Sequence, residues 1–153
     1  MTGARPAHPA TARGLIFDTR GRWLIVRSVG GKFWHLPGGL VEQDESPAAA
    51  CRREVREEIG LDLPIGALYV VGWNAPRRPG SRARFTFVFR MGVLEPAIAS
   101  ARIRLQEKEI DSWQWVQPTA ALTLLHPDAA QRLRVAWGTR GGIYTEGRAV
   151  NRV

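Results

Sequence analysis

Glu54, Glu57 and Glu58 stand close together in a chain that is otherwise strongly basic. On a helix, residues three and four apart share a face, so these carboxylates would project together. Like charges so placed repel one another and cost helix stability. A hard divalent cation offsets that repulsion. Mg2+ or Mn2+ prefers oxygen ligands and keeps waters or substrate phosphates as its remaining ligands. The plainer alternative is a solvated face of Arg/Glu pairs, with Arg53 and Arg56 as the partners. Gly38 and Gly39, upstream, permit close backbone approach and can place a carbonyl beside the carboxylates. Glu42 and Glu45 can add acidic oxygens or hold Arg53.

These side chains need a helix to gather them, and the sequence supplies its limits. Ser46 is a helix N-cap, Pro47 suits the first helical position, and Gly60 is a C-terminal stop. The spacing predicts a helix from Pro47 to about Ile59, with Ala48, Cys51, Val55 and Ile59 as its apolar stripe. Strands are predicted over 13–17 and 23–27, joined by a turn, and over 65–72, 84–93 and 113–116. Residues 33–37 read as a short extended piece, because Pro37 disfavours helix before it. Helices begin at Pro118 and at Pro127, the second with Leu133, Ala136 and Trp137 on its inner face. Residues 95–110 show no clear period, and 101–105 can be extended. Residues 1–11 read as a loose tail, 12–137 as one domain, and 138–153 as a loose or partly paired tail. Strands on both sides of the carboxylate helix, with more helix at the end, give an α/β class with a mixed sheet.

The composition fits one globular domain: 153 residues, 44% hydrophobic and 24% charged. No apolar run approaches the ~20 residues of a membrane span. The opening MTGARPAHPATAR lacks the apolar stretch of a signal peptide, which predicts a cytoplasmic location. Cys51 is the single cysteine, so an internal disulfide and a thiolate-based metal site are both excluded. Its place on the apolar stripe makes it a core residue. The net charge of +8 is almost all arginine. It reads equally as the footprint of an anionic partner or as compositional drift. Arg77, Arg78, Arg82 and Arg84 cluster around the loop 73–83, where they would hold phosphates or ribose, or form a solvated basic loop. Trp34 and Trp73 lie near loops and can stack on a base, although packing is the commoner use; the other tryptophans read as core or edge. A nucleic-acid-binding protein would also be basic, but no such module is visible, and a carboxylate helix without metal repels phosphate.

Gly39, five residues, Glu45, seven residues, then Arg53-Glu54-Val55-Arg56-Glu57-Glu58-Ile59-Gly60-Leu61 resembles the Nudix box, GX5EX7REUXEEXGU, of MutT-like proteins. Every fixed position of the box is present across 39–61, and the order of elements is similar over most of 12–137. Asp44 stands where a glycine commonly precedes the box Glu. The resemblance implies an α/β/α sandwich around a mixed sheet, with the box as loop–helix–loop. It implies Glu54, Glu57 and Glu58 as ligands of Mg2+ (or Mn2+), joined by the Gly38 carbonyl, with Arg53 holding Glu54 or Glu45. It implies attack by water on a diphosphate linkage, with release of a nucleoside monophosphate. Glu57 is the first candidate for the general base, and Glu107 or Glu109 the next. The expected partner is a small nucleotide, with no membrane or nucleic-acid partner, and the chain as a monomer or homodimer. Pro76, fifteen residues after Leu61, matches enzymes acting on ADP-ribose, but the rest of a sugar-nucleotide pattern is missing, so nucleoside triphosphates compete. A regulator that binds nucleotide without cleaving it has no need of all three carboxylates.

Overall fold

The computed structural model describes residues 3–147. Its strands are β1 (Ala10–Asp18), β2 (Trp23–Ser28), β3 (Trp34–His35), β4 (Gly38–Leu40), β5 (Leu68–Asn74), β6 (Arg84–Leu94), β7 (Ile110–Val116) and β8 (Ile143–Gly147). Its helices are α1 (Pro47–Ile59), α2 (Pro96–Arg102), α3 (Pro118–Leu124) and α4 (Pro127–Ala136). They build one mixed sheet in the order β3-β2-β1-β6-β5-β8, with β4 paired to β1 and β7 to β2.

The sheet is buried on both faces. Ala12, Ile16, Leu24 and Val26 pack with Ala50, Cys51, Val55 and Ile59 of α1 and with Ala99 of α2. Leu15, Ile25, Val70 and Val88 pack on the other side with Ala121 of α3 and Leu133 and Ala136 of α4. Period-two alternation along β1 sends neighbouring side chains to opposite layers, and the result is the α/β/α sandwich.

β1 lies at the centre of these layers. One edge pairs in parallel with β6, Arg13 lying opposite Val88. The other edge is shared. β2 takes the Phe17 end, and β4 takes Thr11 to Arg13, with Gly38 opposite Arg13 and Gly39 opposite Ala12. Between them the Gly14 N–H donates to the Pro37 carbonyl at 2.8 Å. The split brings the two glycines onto β1 directly beneath α1.

The predicted limits of α1 hold. Ser46 Oγ accepts from the Ala49 N–H at 3.1 Å, and Gly60, at φ 73°, turns the chain out of the helix while its N–H reaches the Arg56 carbonyl. Several boundaries differ from the sequence reading. β1 begins at Ala10, inside the segment read as a tail. Residues 95–110 contain α2, with Glu95 as N-cap and Pro96 at the first position. Its seven residues bury Ala99 alone, so no period could show. Trp137 is 45% exposed and caps the end of α4, its ring 5.6 Å from that of Trp23. Within the C-terminal segment, β8 pairs in parallel with β5; residues 148–153 of the expected tail lie outside the described residues. Among the described residues no helix is long and apolar enough to cross a membrane.

His35, at the end of β3, is mostly buried beside Arg13, and its Nε2 lies 2.9 Å from Ser28 Oγ. Burial, followed by the Arg13 charge, pushes its pKa down to about 4. The folded chain therefore holds His35 neutral, while the unfolded chain protonates it near its ordinary 6.5. This contribution to stability is complete above that value and is lost as pH falls toward 4, about 2 kcal/mol of it by pH 5. Glu58 acts in the opposite sense over this range, so the observable is a difference. Urea midpoints of wild type and His35→Gln should converge from pH 7.5 to pH 5. A constant offset would mean that the ring is not held neutral.

Candidate active site

Arg53 is the hub of the box. Its Nε and Nη2 donate to both oxygens of Glu45, at 3.0 and 2.6 Å, and Nη2 also reaches the Leu40 carbonyl at 3.1 Å. Its Nη1 donates to Glu54 Oε1 at 3.0 Å and to Glu57 Oε2 at 3.1 Å. The bidentate fork locks the loop after β4 onto α1. It also holds the Glu45 carboxyl down at about 2, helped by the Glu42 N–H.

The three helix carboxylates do not share one solvated face. The Glu57 side chain is 53% exposed, that of Glu54 is 17% exposed beneath Arg53, and Glu58 is buried at 5%. Glu58 Oε2 accepts from the Gly38 N–H at 3.0 Å. Burial pushes the Glu58 pKa up to about 7; the Gly38 N–H and Arg13 oppose this, and the charges of Glu54 and Glu109 add to it. Gly39 lies flat against Glu54, where a Cβ would stand 2.6 Å from Cδ.

Arg13 joins this cluster to a cavity. From β1 its Nη1 donates to the Gly38 carbonyl at 2.8 Å and to the Leu36 carbonyl at 3.2 Å. Burial lowers its pKa, and Glu58 and Glu54 offset part of that. The same side chain lines a cavity of about 820 Å3 on the α4 side of the sheet. Arg77, Arg78, Arg82 and Arg84 line it too, as do Trp34, Asn74, His126, Asp128 and Arg132. Arg132, from α4, donates to Asn74 Oδ1 at 3.0 Å.

The structure thus brings together Arg53, Glu54, Glu57, Glu58 and Gly38, and sets the four loop arginines around a separate cavity beside them. Trp73 does not line that cavity. It lies in β5 opposite Phe85, while Trp34 takes the wall. Of the two later glutamates, Glu109 is the one whose charge acts on Glu58, from a turn that the Gln106 N–H docks on the Glu58 carbonyl at 2.9 Å, although its own side chain is exposed. Glu107 is exposed on the same turn. Sequence reasoning missed Arg13, Arg132 and Asn74. The available signal was an arginine inside an apolar strand, at Arg13, where a solvated residue is out of place.

Among the described residues no group of three or more His, Cys, Asp or Glu side chains is gathered tightly enough to hold a metal ion. The donor chemistry nevertheless fits a hard cation. Every donor is an oxygen, and Glu58 is an acid driven into a buried site, where a cation would relieve the cost of its charge. Arg53 takes one oxygen each from Glu54 and Glu57, which leaves the second oxygen of each carboxylate.

The NUDIX domain family matches residues 7–136. A MutT-like protein of Streptomyces ambofaciens is 36% identical over 72 residues, 47% of this chain and 47% of that protein. An RNA pyrophosphohydrolase of Halorhodospira halophila is 33% identical over 115 residues, 67% of this chain and 62% of that enzyme. The chain therefore spans about half to two thirds of the length of these relatives. Among solved structures, a MutT protein from Methanosarcina mazei superposes with a TM-score of 0.70 at 22% identity, covering 88% of this chain and 96% of that one. A UDP-X diphosphatase gives 0.70 at 23% identity, covering 93% and 69%. At these identities the two structures bear on the fold alone, and both share the sandwich described above.

Proposed function

Because this chain belongs to the NUDIX family, we propose that it is a pyrophosphohydrolase: it hydrolyses a diphosphate linkage in a nucleotide or nucleoside diphosphate derivative and releases a nucleoside monophosphate. One observation carries this reading. The box carboxylates and an arginine-lined cavity are joined through a single residue, Arg13, whose guanidinium touches the Gly38 peptide that also binds Glu58. A substrate can lie with its nucleoside in the cavity and its diphosphate at the box.

In this proposal Glu54, Glu57 and Glu58, with the Gly38 carbonyl, hold Mg2+ or Mn2+. Bound there, the ion would offset the diphosphate charge and acidify a water. The chain's own residues do the rest. Arg53 positions Glu54 and Glu57 and ties them to Glu45. Arg13 lends positive charge at the junction of box and cavity. A carboxylate accepts the proton of the attacking water. Glu57 is exposed enough to meet water, and Glu109 acts on the same site through Glu58. All of these side chains fall within the 12–137 unit.

Support for turnover rather than mere nucleotide binding comes from the complete set of carboxylates. A panel of nucleoside triphosphates, dinucleoside polyphosphates and sugar nucleotides, assayed with Mg2+ and again with a chelator, tests the reading. Metal-dependent release of a nucleoside monophosphate from at least one class is expected. Turnover that is indifferent to the chelator, or none on any class, would count against it.

A further inference from the structure

Two arginines of α1 grip carboxylates side-on, each through Nε and Nη2. Arg53 takes both oxygens of Glu45 this way, at 3.0 and 2.6 Å, and Arg52 takes both oxygens of Asp62, at 2.7 and 3.2 Å. That edge of a guanidinium offers two parallel N–H donors, which match two oxygens of a carboxylate or of a phosphate. Arg13 bears the same edge, and no acceptor among the described residues meets it. The hydrogen bonds of Arg13 all involve Nη1, which donates to the Gly38 carbonyl at 2.8 Å and the Leu36 carbonyl at 3.2 Å and lies 3.1 Å from His35 Nδ1. Arg13 is in no ion pair among the described residues. Nor are Nε and Nη2 shut away from solvent: the buried side-chain nitrogens without a partner, among the described residues, are Arg90 Nε and Trp115 Nε1. The free edge of Arg13 is therefore open to the cavity that its side chain lines.

Its surroundings favour an anion at that edge. Arg84 and Arg132 line the same cavity, and each repels the Arg13 charge. Asp128 offsets part of this at Arg132, while Glu58 and Glu54 attract Arg13 from beyond ion-pair distance. The fork is also held in place. Nη1 is tied to two carbonyls of the segment 36–38, and β4 pins Gly38 to the backbone of β1. A ligand meeting this edge has little side-chain freedom left to remove.

We propose that Arg13 grips a phosphate of the bound ligand side-on, through Nε and Nη2, while Nη1 keeps the Gly38 carbonyl. One planar group then spans the ligand and the box glycine. That the phosphate belongs to a diphosphate substrate rests on the pyrophosphohydrolase reading; the grip itself does not.

The probe is inorganic pyrophosphate, titrated into 15N-labelled wild type in metal-free buffer at fixed salt. The Arg13 Nε–Hε resonance, assigned through its own backbone, should shift and saturate, because Hε enters a charge-assisted bond. Calorimetry with the same probe then compares two variants. Arg13→Lys keeps the charge and loses the fork, and should weaken binding at least about tenfold. Arg78→Ala removes an exposed rim charge and should weaken it by about threefold or less. An Arg13 resonance unmoved at saturation, or a larger loss in Arg78→Ala than in Arg13→Lys, overturns the proposal. Should Arg13→Lys fail to fold, the wild-type resonance decides by itself. Should no diphosphate compound be cleaved, the pyrophosphohydrolase reading falls, while the same resonance still decides this one.

Discussion

Glu58→Gln will fold more stably than wild type in metal-free buffer at pH 8 and will lose turnover by about 10³-fold. The two effects share one cause. The Glu58 carboxyl is buried, which raises its pKa from an ordinary 4.5 to about 7. A carboxylate raised in the folded state stabilises the fold only while protonated. Its contribution is intact below about 4.5, fades as pH rises through 7, and is absent at 8. Holding the charge there costs on the order of 3 kcal/mol. Glutamine has the same shape, keeps an oxygen for the Gly38 N–H, and carries no charge. Its gain in stability should therefore be absent near pH 4.5, grow as pH rises to about 7, and be complete at 8. Activity moves the other way. A charge kept at a cost to the fold is useful only to a partner, and if that partner is the proposed metal ion, loss of the carboxylate removes several kcal/mol of charge stabilisation. At 1.36 kcal/mol per decade that is about 10³-fold in kcat. Chemical denaturation across pH and single-substrate kinetics check the two halves separately. Unchanged turnover would remove Glu58 from the site. A less stable variant at pH 8 would show that the carboxylate serves the fold.

The second large effect separates two adjacent glycines. Gly38 has φ 145°, a conformation side chains rarely adopt, and a Cβ there would run into the Ala12 carbonyl oxygen and stand 2.8 Å from Arg13 Cα. Both obstacles are backbone of β1 and cannot turn aside. Gly38→Ala must part β4 from β1, at a cost on the order of 4 kcal/mol. For a chain of this size that lowers Tm by about 10 °C. Gly39→Ala meets Glu54 instead, at 2.6 to 2.8 Å. A carboxylate on a flexible chain can move, so this variant should keep its Tm within a few degrees while activity falls, because Glu54 leaves Arg53. Equal losses of stability in the two variants would contradict the geometry, and thermal melts beside a turnover assay decide it.

Features set by local chemistry were legible from residue order. Ser46, Pro47 and Gly60 specify the ends of α1 within a few backbone hydrogen bonds, and those ends hold. The run Arg84–Leu94 is apolar and β-branched enough to be a strand in almost any setting. The Nudix pattern rests on residue identity alone, and the family and fold come with it.

Other features depend on which element lies opposite, and those were set only by the folded arrangement. Glu57 and Glu58 are adjacent in sequence and differ by about 100° around the helix axis. Helical spacing puts both near Glu54, but only β4 beneath α1 makes one side interior, so Glu58 is buried and Glu57 meets solvent. Arg13 is one more arginine in a strand until the register of β1 with β4 sets it at Gly38, and that with β6 sets it above the cavity. α2 buries one side chain, and β8 closes the sheet beside β5 from far along the chain. Neither leaves a repeating apolar pattern, since the contacts that fix them are made with residues distant in sequence.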